Sequence, residues 1–221
     1  MSSKLQACCS ALIESCWLAA IVVIPLFFNI SSVQVFEPDK VFILKLLALL
    51  AASAGLLKWI DSRQPEQNPA GQSASVPVLK HPMVYPVLAL AAAYIVSSLF
   101  SILPFQSWNG LYSRAQGALT FCSYVILCLA VIAELKSRAQ LRRIQYAFVI
   151  ASLPIAAYTI LQYFNLDFLP WQKAAEERFS GSMGNPIFLS AYLIMVVPLT
   201  FSQFWSSVKR IRKGRDRRAG F

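Results

Sequence analysis

Charged residues are scarce in this sequence. They make up 14% of the 221 residues, while hydrophobic residues make up 57%, and the mean hydropathy is +0.56. A soluble domain carries about 25% charged residues, because its surface must face water. The shortage of charge therefore excludes an ordinary soluble domain and predicts that much of the protein surface faces lipid.

Residues that bind metals or carry redox chemistry are also few. His81 is the only histidine, and the five cysteines include no pair with metal-ligand spacing. Cys16, Cys122 and Cys128 fall inside apolar runs, where cysteine behaves as a small hydrophobic residue. His81 has no neighbour in the sequence that would make it a base or a ligand. We therefore expect neither a bound metal nor a cofactor.

Long apolar runs make up most of the chain. A helix needs about 20 apolar residues to cross a bilayer. The sequence predicts an all-α, polytopic membrane protein with about six transmembrane helices, at 11–30, 41–60, 83–103, 117–133, 144–163 and 187–208. The second is the weakest, because it is free of charge only between Lys45 and Lys58. Both lysines have long stems that can reach opposite membrane interfaces, so we retain this span.

Lysine and arginine are distributed unevenly among the predicted loops. With a cytoplasmic N-terminus, fifteen of the 20 fall in inner segments, and five fall in outer segments: Lys40, Lys45, Arg114, Lys173 and Arg178. Cytoplasmic loops of membrane proteins are enriched in these residues. The bias predicts that both termini are cytoplasmic. It also favours a basic tail, 209–221, that contacts anionic lipid headgroups and not nucleic acid.

A polar segment, 61–82, interrupts the apolar runs. It is rich in proline, glycine, serine and asparagine, a composition typical of flexible linkers. We therefore expect a two-span unit at 1–60 and a four-span unit at 83–208, with outer loops at 104–117 and 164–186. Within the second outer loop, residues 170–179 are predicted to form a short helix that lies along the membrane.

The two long outer loops each carry an arginine at the mouth of a span, Arg114 and Arg178. A guanidinium group matches phosphate oxygens in two-point geometry. The sixth span, which begins near Pro186, presents free amides and the positive end of its dipole at the same surface. These features predict an anion site on the outer face. The alternative is that both arginines pair with loop acids such as Glu176 or Glu177, or with lipid headgroups.

Three segments carry recognisable motifs: FEPDK at 36–40, WNGLYSRAQG at 108–117 and RFSGSMGNPIFLSAYL at 178–193. They resemble the F-x-P-x-K, W-G-x-x-x-R-x-Q-G and R-x-x-S-x-x-G-N-P-N-x-L-A-A-Y-L motifs of the O-antigen ligase and O-antigen polymerase family. The chain departs from these motifs in one extra residue before Gly110, in Ile187 where asparagine is usual, and in Ser190 where alanine is usual. The third segment is the most specific of the three.

The resemblance implies a glycosyltransferase of the bacterial inner membrane that takes glycan from an undecaprenyl-diphosphate carrier at the periplasmic face. The product would be lipopolysaccharide, another surface polysaccharide or a protein glycan. Membrane lipid and the polyprenyl-linked glycan would be its partners. The resemblance implies that Arg114 and Arg178 hold the diphosphate, supported by the other matched positions: Lys40, Lys45, Gln116, Gly117, Ser180, Gly184, Asn185 and Pro186.

Members of that family are much longer, and a later periplasmic loop in them carries a histidine that activates the acceptor. We therefore expect this chain to be an N-terminal half that is inactive alone and works with a half encoded downstream, and no catalytic residue is assigned. Two other classes stay open. A small-anion transporter component would need ionisable residues inside its spans. In a non-catalytic structural membrane subunit, the loop arginines would be incidental.

Overall fold

The computed structural model describes residues 2–62, 81–166 and 179–219, and all regular structure in these ranges is helical. The helices are α1 (Ser2–Leu26), α2 (Pro38–Ser62), α3 (Val84–Leu99), α4 (Pro104–Asn109), α5 (Ala118–Glu134), α6 (Arg138–Tyr163) and α7 (Pro186–Ala219), with a 3₁₀ turn at Gly181–Met183 before α7. The predicted all-α class is confirmed for the described part of the chain.

Four of these helices are long and apolar enough to cross a membrane. They contain the segments Lys4–Leu26, Pro38–Ser62, Arg138–Tyr163 and Pro186–Arg212, with mean hydropathies of 1.7 to 2.1. This result agrees with the prediction of a multi-pass membrane protein. It also supports the second predicted span, which the sequence left weakest.

The two remaining apolar helices are shorter than the sequence predicted. The predicted span at 83–103 contains α3, which has 16 residues, and the predicted span at 117–133 corresponds to α5, which has 17. At 1.5 Å per residue each is about 24–26 Å long, whereas the hydrocarbon core is about 30 Å thick. Helix α3 ends at Leu99, before the sequence Ser101-Ile102-Leu103-Pro104, where α4 begins with proline at its first turn.

The helix ends differ from the predictions at other places too: α1 spans Ser2–Leu26 where 11–30 was predicted, and α6 begins at Arg138 where 144 was predicted. Helix α4 lies inside the predicted outer loop 104–117, and α7 continues through most of the segment predicted as a separate tail, to Ala219. The start of α7 at Pro186 was predicted correctly, because the fixed φ of proline suits the first helical position. The predicted helix at 170–179 lies outside the described residues except for Phe179.

Small side chains allow α1 and α2 to pack closely. Ala48, Ala51 and Ala54 recur every three residues on one face of α2 and are at most 3% exposed. They pack with Cys16 and Trp17 of α1 in two adjoining clusters. Small residues let helix backbones approach in lipid, where van der Waals packing and not the hydrophobic effect drives helix association.

The helices on both sides of the linker share this core. Leu127 of α5 packs in the same cluster as Leu44 of α2, and Ile144 of α6 packs beside Trp17 of α1. Most of the predicted linker, residues 63–80, lies outside the described residues. A third cluster joins α6 to α7 through Ile155, Leu189, Tyr192 and Val196.

Charged side chains hold one end of the bundle together, which we call the ion-pair end. Lys58 of α2 forms an ion pair with Glu134 of α5, and its ammonium group also donates a hydrogen bond to Ser10 Oγ at 2.7 Å. Arg143 Nε of α6 contacts Glu14 Oε1 of α1 at 2.6 Å. Lys58 therefore binds its neighbouring helices, whereas the sequence suggested that its side chain would reach the membrane interface.

Candidate functional site

The first motif segment, 36–40, forms the entry to α2. Pro38 begins the helix, and Asp39 in its first turn accepts a hydrogen bond from Asn29 Nδ2 at 2.7 Å. A carboxylate in the first helical turn interacts favourably with the positive end of the helix dipole. This bond ties the end of the α1–α2 connection to the helix start. It positions Glu37 and Lys40 at the end of the bundle opposite the ion pairs.

The third motif segment, which enters α7, packs directly against the first. Lys40 Nζ donates a hydrogen bond to the carbonyl oxygen of Ser182 at 2.7 Å, and Ser182 Oγ donates one to Pro25 O of α1 at 2.8 Å. Gly184 adopts φ +73°, and a β-carbon there would lie 2.4 Å from the ring of Phe36. A glycine is therefore required at this position both for the left-handed turn and for the contact.

The second motif segment, 108–117, folds back on itself before α5. A β-carbon on Gly117 would lie 2.4 Å from both Gly110 N and Trp108 O. The backbones of the two arms of this turn are therefore in direct contact. Thr120 Oγ1 donates to Ala115 O at 2.7 Å and closes the turn onto α5. The turn leaves Arg114 and Gln116 exposed.

A cavity of about 370 Å³ lies where the three segments meet. Its polar side chains come from two of the segments: Glu37 and Lys40 from the first and Gln116 from the second. Its apolar walls come from α1, α2, α5, α7 and the turn before α7, through Ile24, Pro25, Val41, Leu44, Tyr124, Met183, Phe188, Ala191, Tyr192 and Met195. The volume is within the usual range for ligand sites, about 300–1,000 Å³. The cavity is amphipathic, with a few polar groups beside a long apolar wall.

The environment of the cavity changes the protonation of Glu37. Its carboxyl group is half-buried, and burial raises its pKa above the ordinary value, while the charges of Arg114 and Lys40 act in the opposite direction. Burial favours the neutral form, because a carboxylate loses hydration, and nearby cations favour the charged form. The charge of Arg114 therefore acts on a carboxyl group that lines the cavity.

The structure describes all the predicted site residues except Arg178 and gives them different roles. Lys40 and Gln116 line the cavity, while Gly117 and Gly184 shape the backbone around it. Asn185 and Pro186 start α7, where Asn185 Oδ1 accepts a hydrogen bond from Ile187 N at 2.8 Å, and the carbonyl of Ser180 accepts one from Met183 N in the 3₁₀ turn. Lys45 is half-buried on α2 but is not among the residues that line the cavity. Arg178 lies outside the described residues.

Glu37 is the site residue that sequence reasoning passed over. Its position inside the first motif, between Phe36 and Pro38, was the available signal. It was not singled out, because burial is not visible in a loop sequence. Tyr124 and Tyr192 of the cavity wall were likewise counted only as apolar residues of the spans.

Two charged pairs of the spans lie away from this cavity. Lys58, Glu134, Glu14 and Arg143 pair with one another at the opposite end. The helix between Lys40 and Lys58 is about 27 Å long at 1.5 Å per residue. Within the described ranges, no three histidine, cysteine, aspartate or glutamate side chains converge as a metal site would require.

No family model, curated protein or solved structure matches this chain. Its function is therefore argued from the three motif segments and from the site that they build.

Proposed function

We propose that this chain holds the lipid-linked donor of a bacterial inner-membrane glycosyltransferase of the O-antigen ligase and polymerase type. The donor is a polyprenyl-diphosphate-linked glycan, bound at the cavity with the cavity end of the bundle facing the periplasm. The acceptor is lipid A-core, another glycan chain or a protein hydroxyl. In this proposal the chain works with a second half that supplies the acceptor base.

The observation that supports the proposal most strongly is the meeting of the three motif segments at one amphipathic cavity. They lie far apart in the sequence, yet Lys40 binds the carbonyl of Ser182, and Glu37, Lys40, Gln116 and Met183 line the same space. A diphosphate on an isoprenoid chain needs this combination of cations and an apolar wall. A structural subunit has no requirement for such a cavity.

Each cation has a separate part in the proposal. Arg114 is exposed and so is free to offer its planar fork to the phosphate oxygens. The ammonium group of Lys40 carries three donors, of which one is used on Ser182 O, so it can hold the turn before α7 and face the ligand at once. Arg178, which directly precedes Phe179 in the chain, is proposed as the second guanidinium.

Preplaced cations would assist transfer without a metal. When the bond from the sugar to the diphosphate breaks, negative charge grows on the departing phosphate oxygens. Donors fixed beside those oxygens stabilise the charge with little reorganisation. The low dielectric of a lipid-lined site strengthens the attraction further.

The test is binding of undecaprenyl diphosphate to the purified chain in lipid nanodiscs. Arg114→Ala should weaken binding about tenfold to a hundredfold, since a hydrogen bond to a charged group contributes about 1.5–3 kcal/mol. Arg114→Lys should recover part of the affinity, because lysine keeps the charge and loses the fork. The matched control is Lys136→Ala, which removes an exposed cation beyond the far end of α5.

Two further ligands distinguish contacts with the diphosphate from contacts with the isoprenoid chain. Undecaprenol lacks the diphosphate and should bind weakly to every variant, while farnesyl diphosphate should show the same dependence on Arg114. Wild-type affinity in both Arg114 variants would contradict the proposal and favour a structural subunit. Sidedness is checked by labelling Val33→Cys in intact cells with an impermeant maleimide, which should react if this end is periplasmic.

A further inference from the structure

The connection between α3 and α5 exposes large apolar side chains. Phe100 is 85% exposed, Ile102 96% and Phe105 78%. With Leu103, Leu111 and Tyr112, also exposed, they form what we call the apolar collar. Contiguous apolar surface of this kind is rare in water and marks a site that contacts another apolar phase.

Several polar groups of the same connection bind one another. Ser107 Oγ donates to Ser101 Oγ at 2.6 Å, and Leu103 N donates to the same oxygen at 3.2 Å. Asn109 Nδ2 donates to Phe105 O at 3.1 Å. A segment in lipid must satisfy its polar groups internally, because no water reaches them.

The depth of the connection is set by the short helices on either side of it. Glu134 at the end of α5 pairs with Lys58 at the ion-pair end, so the start of α5 lies about 24 Å away along the helix. Helix α3 runs beside α5, and Tyr94 stacks on Phe121 with ring centroids 4.1 Å apart. The hydrocarbon core is about 30 Å thick. With the ion-pair end at one boundary of the core, both helices end before they would reach the other boundary.

We propose that the apolar collar is inserted into the lipid leaflet at the cavity end, with lipid acyl chains as its partner. Hydrogen bonding among the polar groups of the connection, exposed apolar side chains and short flanking helices all favour this placement. Arg114 N donates to Leu111 O at 3.0 Å, so the backbone of Arg114 is fixed to the collar. Arg114 is thereby held at the level of the headgroup phosphates. The proposal does not depend on the proposed function.

The experiment compares three exposed positions in the full chain in liposomes. Ile102→Cys tests the collar. Val33→Cys is the aqueous control, because Val33 is 87% exposed in the α1–α2 connection at the same end, among Ser31, Ser32 and Gln34. Leu49→Cys, 66% exposed in the middle of α2, is the lipid control. The native cysteines are replaced beforehand, and each variant is labelled with an environment-sensitive nitrobenzoxadiazole dye.

The expected result is that the dye at Ile102 behaves like the dye at Leu49. Lipids with a nitroxide on the acyl chain should quench both strongly, and aqueous iodide should quench both several-fold less than it quenches the dye at Val33. Equal iodide quenching at Ile102 and Val33 would overturn the proposal. Protection of Ile102 from both quenchers would also overturn it, since a second copy of the chain would then cover the collar. Phe105→Cys, on α4, repeats the test at a second collar position.

Discussion

The two ends of the helix bundle use their charges in opposite ways. At the ion-pair end, Lys58 meets Glu134 and Arg143 meets Glu14, and these bonds join α1, α2, α5 and α6. At the cavity end, Lys40 bonds to a carbonyl oxygen, and Arg114 is exposed. These four charges at the first end are matched with one another, whereas Lys40 and Arg114 at the second stay available to a ligand.

This difference predicts that stability and ligand binding depend on different ends of the bundle. A buried charge whose partner is removed has no water to replace it, so changes at the ion-pair end should lower stability. An exposed arginine contributes little to stability but much to recognition of phosphate. Variants at the two ends should therefore fail different assays, unfolding for one and ligand binding for the other.

The largest effect is expected at the ion-pair end. Glu134→Ala leaves the ammonium group of Lys58 beside the core without its anion and should lower the free energy of unfolding by about 3 kcal/mol. The measurement is unfolding in mixed micelles, followed by helical circular dichroism. Diphosphate binding by the fraction that stays folded should be unchanged.

A double variant provides the control for that prediction. Lys58→Met with Glu134→Leu removes both charges and should restore most of the lost stability, because a buried pair replaced by apolar residues is often neutral. An unfolding midpoint in Glu134→Ala equal to that of the wild type would show that the two ends do not differ as described.

Alanine substitutions at two glycines test how tightly the backbone packs at the cavity end. Gly117→Ala would place a β-carbon 2.4 Å from Gly110 N and Trp108 O, both backbone atoms that cannot turn away. Overpacking of this kind costs about 1–3 kcal/mol, and it should also weaken ligand binding, because Gln116 would be displaced. Unfolding and binding are measured on the same preparation.

The matched control is Gly55→Ala in the interior of α2, where nothing lies within 4 Å of the added carbon. It should stabilise the chain by up to about 1 kcal/mol, because alanine favours helix more than glycine does. Equal effects of the two substitutions would mean that the Gly110–Gly117 contact is not tight.

The smallest effect concerns Glu37 and pH. Burial raises the pKa of its carboxyl group in the folded protein, so the folded state binds a proton more tightly than the unfolded chain does. Stability from this group is therefore present at low pH and falls as the pH rises from the unfolded pKa, about 4.3, through the folded one. Glu37→Gln should remove this part of the pH dependence.

The check is the difference between the unfolding midpoints of wild type and Glu37→Gln, taken from pH 4 to pH 7. The difference should grow in favour of the glutamine variant as the pH rises. A constant difference across that range would show that Glu37 is hydrated as an ordinary surface carboxylate.

The sequence predicted the helical class and most helices because apolar runs report directly on burial in lipid. It was less successful at helix ends. Helix α3 stops at Leu99 although the apolar run continues to Leu103, because hydropathy does not register the change of backbone direction that Ser101 and Pro104 allow. For the same reason the apolar collar was not recognised as one feature, because the sequence divided it between the end of the predicted span 83–103 and the predicted outer loop 104–117.

The site was only partly predictable for a related reason. The three motif segments could be recognised individually, but their contact depends on the packing of α1, α2, α5 and α7. Lys40 was singled out as a motif residue, while its bond to Ser182, 142 positions away along the chain, could not be read from the sequence. Glu37 was passed over because its half-buried position comes from neighbours in other segments.

The sequence by itself determined that the chain is helical, multi-pass and short of charge, since composition and run length act locally through the transfer of side chains into lipid. The tertiary structure alone decided which charges are matched and which face a cavity. Lys58 and Lys40 are alike in sequence, each a lysine near one end of the same helix. One meets a carboxylate from α5 and the other a carbonyl beside an amphipathic cavity, and only the packing of helices distant in sequence separates them.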